Sequence, residues 1–250
     1  MKLFIVLIIS FFFSVSYSKS LMIGTSGDNP PFSSFADSHN NFSGFEIDIM
    51  MEVCSRLHAQ CQFQPIVVSA VLKLFAEKKI DLVIAAIIEP PANSPEVADF
   101  VFSTPYLPSS AQFLVRTDSN IQTLQNIRYK AVGVRLGSLF NGILFIYFLL
   151  SLYNQQLNVT TYLEMCDVID ALQSKAVQAV FSNTEAIHYW YMMNKDQFRL
   201  VGDPFPIGNG YTIMGNRGNE QLITQINQAL YSMEQDGTYT KLYDRYFTLE

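Results

Sequence analysis

The sequence predicts an α/β protein of two lobes, each built on a sheet flanked by helices. Three observations predict it. Segments of strand and helix character alternate along the chain, as they do when crossover helices join parallel strands. The run 80–88, Ile-Asp-Leu-Val-Ile-Ala-Ala-Ile-Ile, is almost continuously apolar, the mark of a strand buried on both faces. The stretch 44–61 sets Phe45, Ile49, Val53 and Leu57 four residues apart, and a strand-like run, 62–68, follows at once. That spacing makes one apolar face of a helix.

In chain order, residues 1–18 read as a secretory signal peptide: Met1-Lys2 is a basic start, 3–13 an apolar run broken only by Ser10, and Ser16 and Ser18 are small. Signal peptidase needs that order of features. The run is too short to span a bilayer comfortably. Next come a strand at 21–25, a loop at 26–34 whose path Pro30 and Pro31 restrict, and a polar turn at 37–43. Gly44 lets the chain turn into the helix, whose first turn carries Glu46 and Asp48 and whose end carries Arg56, as the helix dipole prefers. A helix at 69–79, the buried strand, a Pro-rich loop at 89–95, and strands at 100–106 and 111–116 complete the first half.

The second half opens with a strand at 129–136, after which Gly137-Ser138 begins a helix. Glycine plus a hydroxyl at a helix start is either an anion site or an N-cap by Ser138. Within 139–152 the run 143–150 is unbroken and apolar. Such a helix is either deeply buried or exposes a patch for self-association or docking. Strands at 155–163 and 176–181 enclose a helix at 167–174; a helix rich in aromatics spans 184–193; 203–206 reads as a linker and 211–215 as a returning strand. An amphipathic helix at 222–235 stops at Asp236-Gly237, and 238–247 is the last helix.

Charge and residue counts exclude some functions. The net charge is −6 with no basic stretch, which disfavours nucleic acid as a partner. The three His and three Cys lack zinc-ligand spacing, so no metal or cofactor is expected. His39, His58 and His188 are scattered, and no nucleophile–base pair is visible. An exported chain meets an oxidising compartment, which allows a Cys54–Cys61 disulfide. Closing so short a loop stabilises by roughly 2.5 kcal/mol on the chain-entropy model. Cys166 is left over and reads as a buried thiol. In parallel α/β sheets ligands sit beyond the carboxyl ends of the strands, which draws attention to 26–32, 89–96 and the loop after 136.

The order Gly44-Phe45-Glu46-Ile47-Asp48-Ile49, then Val53-Cys54 and Leu57, resembles the signature of the family 3 bacterial extracellular solute-binding proteins. The Cys-x6-Cys addition looks like the subgroup that binds lysine, arginine, ornithine and histidine. Phe102-Ser103-Thr104-Pro105-Tyr106, Val132-Gly133-Val134 with Gly137-Ser138, and Gln235-Asp236-Gly237-Thr238-Tyr239 extend the resemblance over nearly the whole chain. It implies a type II periplasmic binding protein fold. Lobe one is 20–108 plus 212–250, lobe two is 113–206, and a hinge lies near 108–112 and 206–211. It also implies a periplasmic location and capture of an amino acid or similar small polar solute for an ABC permease.

The family's ligand clamp maps poorly onto this chain. Its arginine falls on Asn93 or Glu96, its first-lobe hydroxyls on Ala85, Ala86 and Ile88, and a second hydroxyl on Leu139. Its lobe-two acid falls on Asn183 and the aromatic before Pro-Phe on Asn29. With Asp28 and Phe32 of the first loop, Ser138, and Arg135 as a relocated cation, these positions form the candidate ligand set. Glu89 and Glu96 at the cleft mouth favour a cationic ligand. Two other readings remain: a drifted scaffold serving as a non-transport partner or sensory module, and a dehydratase-type enzyme on the same fold.

Overall fold

The computed structural model describes residues 19–37, 41–67, 70–89, 98–136, 141–154 and 156–248. The leader at 1–18, Asn93, Glu96, Ser138 and Leu139 lie outside them.

The first lobe begins with β1 (Lys19–Thr25), followed by a ribbon of three short strands, β2 (Asp28–Asn29), β3 (Ser33–Phe35) and β4 (Phe42–Ser43). Helix α1 (Phe45–Arg56), β5 (Ala59–Pro65), α2 (Val71–Ala76), β6 (Leu82–Ile88) and β7 (Phe100–Phe102) come next. The chain then enters the second lobe through β8 (Ser110–Arg116), β9 (Ala131–Arg135), α3 (Asn141–Leu152), β10 (Asn158–Tyr162), α4 (Met165–Gln173), β11 (Ala179–Asn183), α5 (Thr184–Met193) and β12 (Phe198–Pro206). It returns through β13 (Tyr211–Asn216), α6 (Glu220–Gln235) and α7 (Thr238–Phe247). The first large sheet has the order β5-β1-β6-β13-β7 and the second β10-β9-β11-β8-β12. In each, the strands joined through helices run parallel, and the strands carrying the crossings between lobes run antiparallel to their neighbours. The crossings lie side by side: the Ile207 amide donates to the Ser109 carbonyl at 3.1 Å, and the Tyr211 amide to the Leu107 carbonyl at 2.8 Å.

Every residue of β6 is buried, as its continuous apolar run requires. Helix α1 buries Phe45, Ile49, Met50 and Val53 against the first sheet. Its start is set by Gly44, whose φ of 135° is a region L side chains rarely adopt. A Cβ there would lie 2.3 Å from the Phe32 carbonyl oxygen. That close approach lets the Phe45 and Glu46 amides donate to the Pro31 and Phe32 carbonyls, so the first loop supplies partners for two otherwise orphaned helix-start groups. The disulfide joins Cys54 of α1 to Cys61 of β5. Helix α7 is tied to the same helix: Arg245 pairs with Asp48 at 2.6 Å, and the Tyr246 hydroxyl donates to Asp48 at 2.8 Å.

Several expectations change. Residues 203–206 are not a linker but the end of β12, pairing Phe205 with Ala111 and Pro206 with Ser110 after a register shift. β12 is an edge strand, where a missing proline N–H breaks no ladder bond on the solvent side. Cys166 is exposed rather than buried. Docking through 143–150 is not supported. In α3, Phe145 and Leu149 are buried, and Ile146 and Phe148 pack against the same core. The Phe148 and Phe181 rings stack at 5.7 Å. No described helix is long and apolar enough to cross a membrane.

Candidate functional site

The facing ends of the two sheets are joined by charge. Asp28 of β2 in the first lobe accepts from the Arg135 guanidinium at the end of β9 in the second, Nη2 to Oδ1, at 2.6 Å. Arg135 is only 7% exposed, so the pair is partly desolvated and attracts more strongly than a surface pair. Its Nε reaches the Leu163 carbonyl at 3.4 Å. The other Asp28 oxygen accepts from the Met165 amide at 3.4 Å. That amide opens α4, whose N-terminus favours an anion. Asp28 thus occupies a cationic corner of the opposite lobe. Glu164, beside that corner, shares its hydrogen with Asp28: this contact first, and burial second, push its carboxyl up to about 7. Two carboxyls beside one guanidinium cannot both ionise cheaply.

A second polar node lies deeper. Glu46 of α1 is fully buried. Its Oε1 accepts from the Ala86 amide at 2.5 Å and from the Tyr106 hydroxyl. Its Oε2 has no hydrogen-bond partner among the described residues. Burial pushes this carboxyl up to about 7 against the opposing pull of the Tyr106 and Ala86 donors. Ala86 bends β6 to meet it, with φ of 49° in the middle of a strand, a conformation that costs an L residue energy. Across the lobes, Asn183 Nδ2 donates to the Tyr211 hydroxyl at 2.7 Å, and that hydroxyl lies 3.3 Å from Glu185. Glu185 is also pushed up to about 7, by burial.

Among the candidate residues, Asp28 and Arg135 therefore meet directly, and Asn183 meets the returning strand. Ala86 takes part through its backbone. Ile88 is buried opposite Tyr211 in the ladder. Phe32 has no exposed surface and packs its ring 5.3 Å from Tyr211 and 6.2 Å from Phe247, which makes it core rather than cleft wall in this arrangement. Asn29 is buried, its carbonyl accepting from the Phe32 amide at 2.9 Å. Glu46, Glu164 and Glu185 were not among the candidates. Among the described residues, no group of three or more His, Cys, Asp or Glu could hold a metal ion.

A model of the bacterial extracellular solute-binding proteins, family 3, matches residues 21–249. The chain belongs to this family. It is a periplasmic solute-binding protein with the type II binding-protein fold. ABC transporter arginine-binding protein 1 of Escherichia coli (strain K12) is 26% identical over 244 residues, covering 96% of each chain. An L-cystine-binding protein of the same organism is 26% identical, covering 91% of this chain and 82% of that one. Among solved structures, an arginine 3rd transport system periplasmic binding protein from Legionella pneumophila is 35% identical. It superposes with a TM-score of 0.83, covering 92% of this family member and all of that chain. By name these relatives are binding proteins, and the first of them is a protein of an ABC transporter.

Proposed function

We propose that this solute-binding protein captures a cationic amino acid of the arginine class by closing its two lobes, and hands it to an ABC permease. The observation that carries the reading is the Asp28–Arg135 pair with Glu164 beside it. The three groups span the cleft and, when all are ionised, sum to one negative charge. A ligand side-chain guanidinium or ammonium brought there would stabilise the ionised form of Glu164, whereas a side-chain carboxylate would be repelled. The arginine-binding relatives support the same class. The hinge is read in 108–112 and 206–211, where the two connections run side by side. The reading is of capture without turnover.

Thermal unfolding of the protein purified from the periplasm tests it. At a hundredfold excess over the dissociation constant, arginine or lysine should stabilise by about 2.7 kcal/mol. That corresponds to roughly 5–10 °C in midpoint for a chain of this size. Glutamate should give no shift. A larger shift with glutamate or a neutral amino acid than with arginine would overturn the assignment. A shift with L-cystine alone would replace it with the other class of relative.

A further inference from the structure

Away from the Asp28–Arg135 corner, α5 of the second lobe and α7 of the first face each other across a cavity of about 290 Å³. Glu185, Tyr189 and Met192 line it from α5, and Tyr243, Tyr246 and Phe247 from α7. A second cavity of about 370 Å³ shares Glu185 and Tyr243 with it, so the two are compartments of one interlobe groove. Asp28, Arg135 and Glu164 line neither.

The groove has a specific chemistry. Four aromatic rings and two methionines line it together with one carboxyl, that of Glu185. No cation pairs with that carboxyl among the described residues; its polar partners are its own backbone and the Tyr211 hydroxyl at 3.3 Å. The cationic candidates nearby are otherwise engaged: Arg245 of α7 pairs with Asp48. The His188 ring turns Nε2 to Gln112 at 2.9 Å, and burial lowers its basicity. A desolvated carboxyl without a positive partner is costly when ionised. Ring faces attract cations, and methionines accommodate irregular apolar shapes. All three features point to one ligand class.

We infer that the α5–α7 groove is a second ligand site, for an organic cation with an apolar body such as an arylalkyl-ammonium. The charge sits at Glu185 among the rings of Tyr189, Tyr243 and Tyr246, and the body lies against Met192 and Phe247. Because the walls come from opposite lobes, an occupant bridges them and favours the arrangement in which α5 and α7 are close. The inference stands apart from the identity of the cleft solute.

Titration calorimetry with phenethylammonium at pH 8, against the neutral 2-phenylethanol, tests it. The ammonium should bind the wild-type protein, and the alcohol at least tenfold more weakly. Glu185→Gln should lose at least tenfold in ammonium affinity. Tyr243→Ala, which removes one ring from a half-open wall, should also weaken it. Saturating arginine should leave the ammonium site open. Absence of any heat with phenethylammonium would overturn the proposal, as would equal binding of the alcohol. It would also be overturned by displacement of the ammonium by arginine at a total stoichiometry of one, because the groove would then be the cleft site itself. If Glu185→Gln fails to fold, the ammonium–alcohol comparison on the wild type and the arginine competition still decide.

Discussion

Glu164 and Glu46 are the two carboxyls whose titration matters most, and they act in opposite directions. Glu164 is pushed up to about 7 by its hydrogen bond to Asp28. If a cationic solute binds its ionised form, lowering the pH from 8 to 6 protonates the partner, and affinity should fall roughly tenfold. Glu164→Gln should flatten that profile; calorimetry at the two pH values measures both. Glu46 governs folding instead. Its folded carboxyl is raised from 4.5 to about 7, so between those values the folded chain holds a proton that the unfolded chain has released. Its contribution to stability is present in full below pH 4.5 and is lost as the pH rises through 7. Urea unfolding of the solute-free protein should therefore show a steeper loss from pH 5 to pH 8 than Glu46→Gln does. Arg135 stood out in the sequence because it lies one step from the Gly137 loop, and Asn183 because the family's lobe-two acid maps there; in the fold Arg135 meets Asp28 and Asn183 meets Tyr211. Glu46 did not stand out. In the sequence it is a first-turn acid suited to the helix dipole, and what makes it special is Tyr106, sixty residues away, and the bend at Ala86. Glu164 escaped for the same reason: its partner Asp28 lies in the other lobe.

Among the elements, α1 carries the most information per residue. Its apolar spacing and its acidic first turn recur in the folded helix, and its Cys54 is bonded to Cys61 of β5. The sequence also marks Gly44 as the entry, and the structure supplies the reason, a Phe32 carbonyl where a side chain would stand. Gly44→Ala should cost about 2–4 kcal/mol, combining backbone strain with that clash, read as a lower urea midpoint at unchanged slope. Other elements were less legible. The ribbon β2-β3-β4 reads as loop because strands of two or three residues carry no period. The end of β12 reads as linker because two prolines usually mark one; only its place at the sheet edge makes them tolerable. Helix α3 shows the converse: a run apolar on all sides left its cover undecided, and the rings of Phe145, Phe148 and Phe181 decide it.

At the scale of the whole molecule, the two-lobed α/β architecture was readable from the alternation of strands and helices, while the relation between the lobes was not. It rests on contacts such as Asp28–Arg135, whose partners are 107 residues apart, and no local pattern reports them. That pair has a kinetic consequence. It ties the lobes with the chain's own charges; if it also forms before solute arrives, the molecule spends part of its time shut, and a shut molecule admits nothing. Entry then waits for an opening event. In stopped-flow mixing, the observed association rate should level off as solute concentration rises, with a plateau equal to the opening rate. Arg135→Ala, in which the tie is cut, should lift that plateau. A rate that instead climbs linearly at all concentrations in the wild type would mean that the door stands open before the solute arrives.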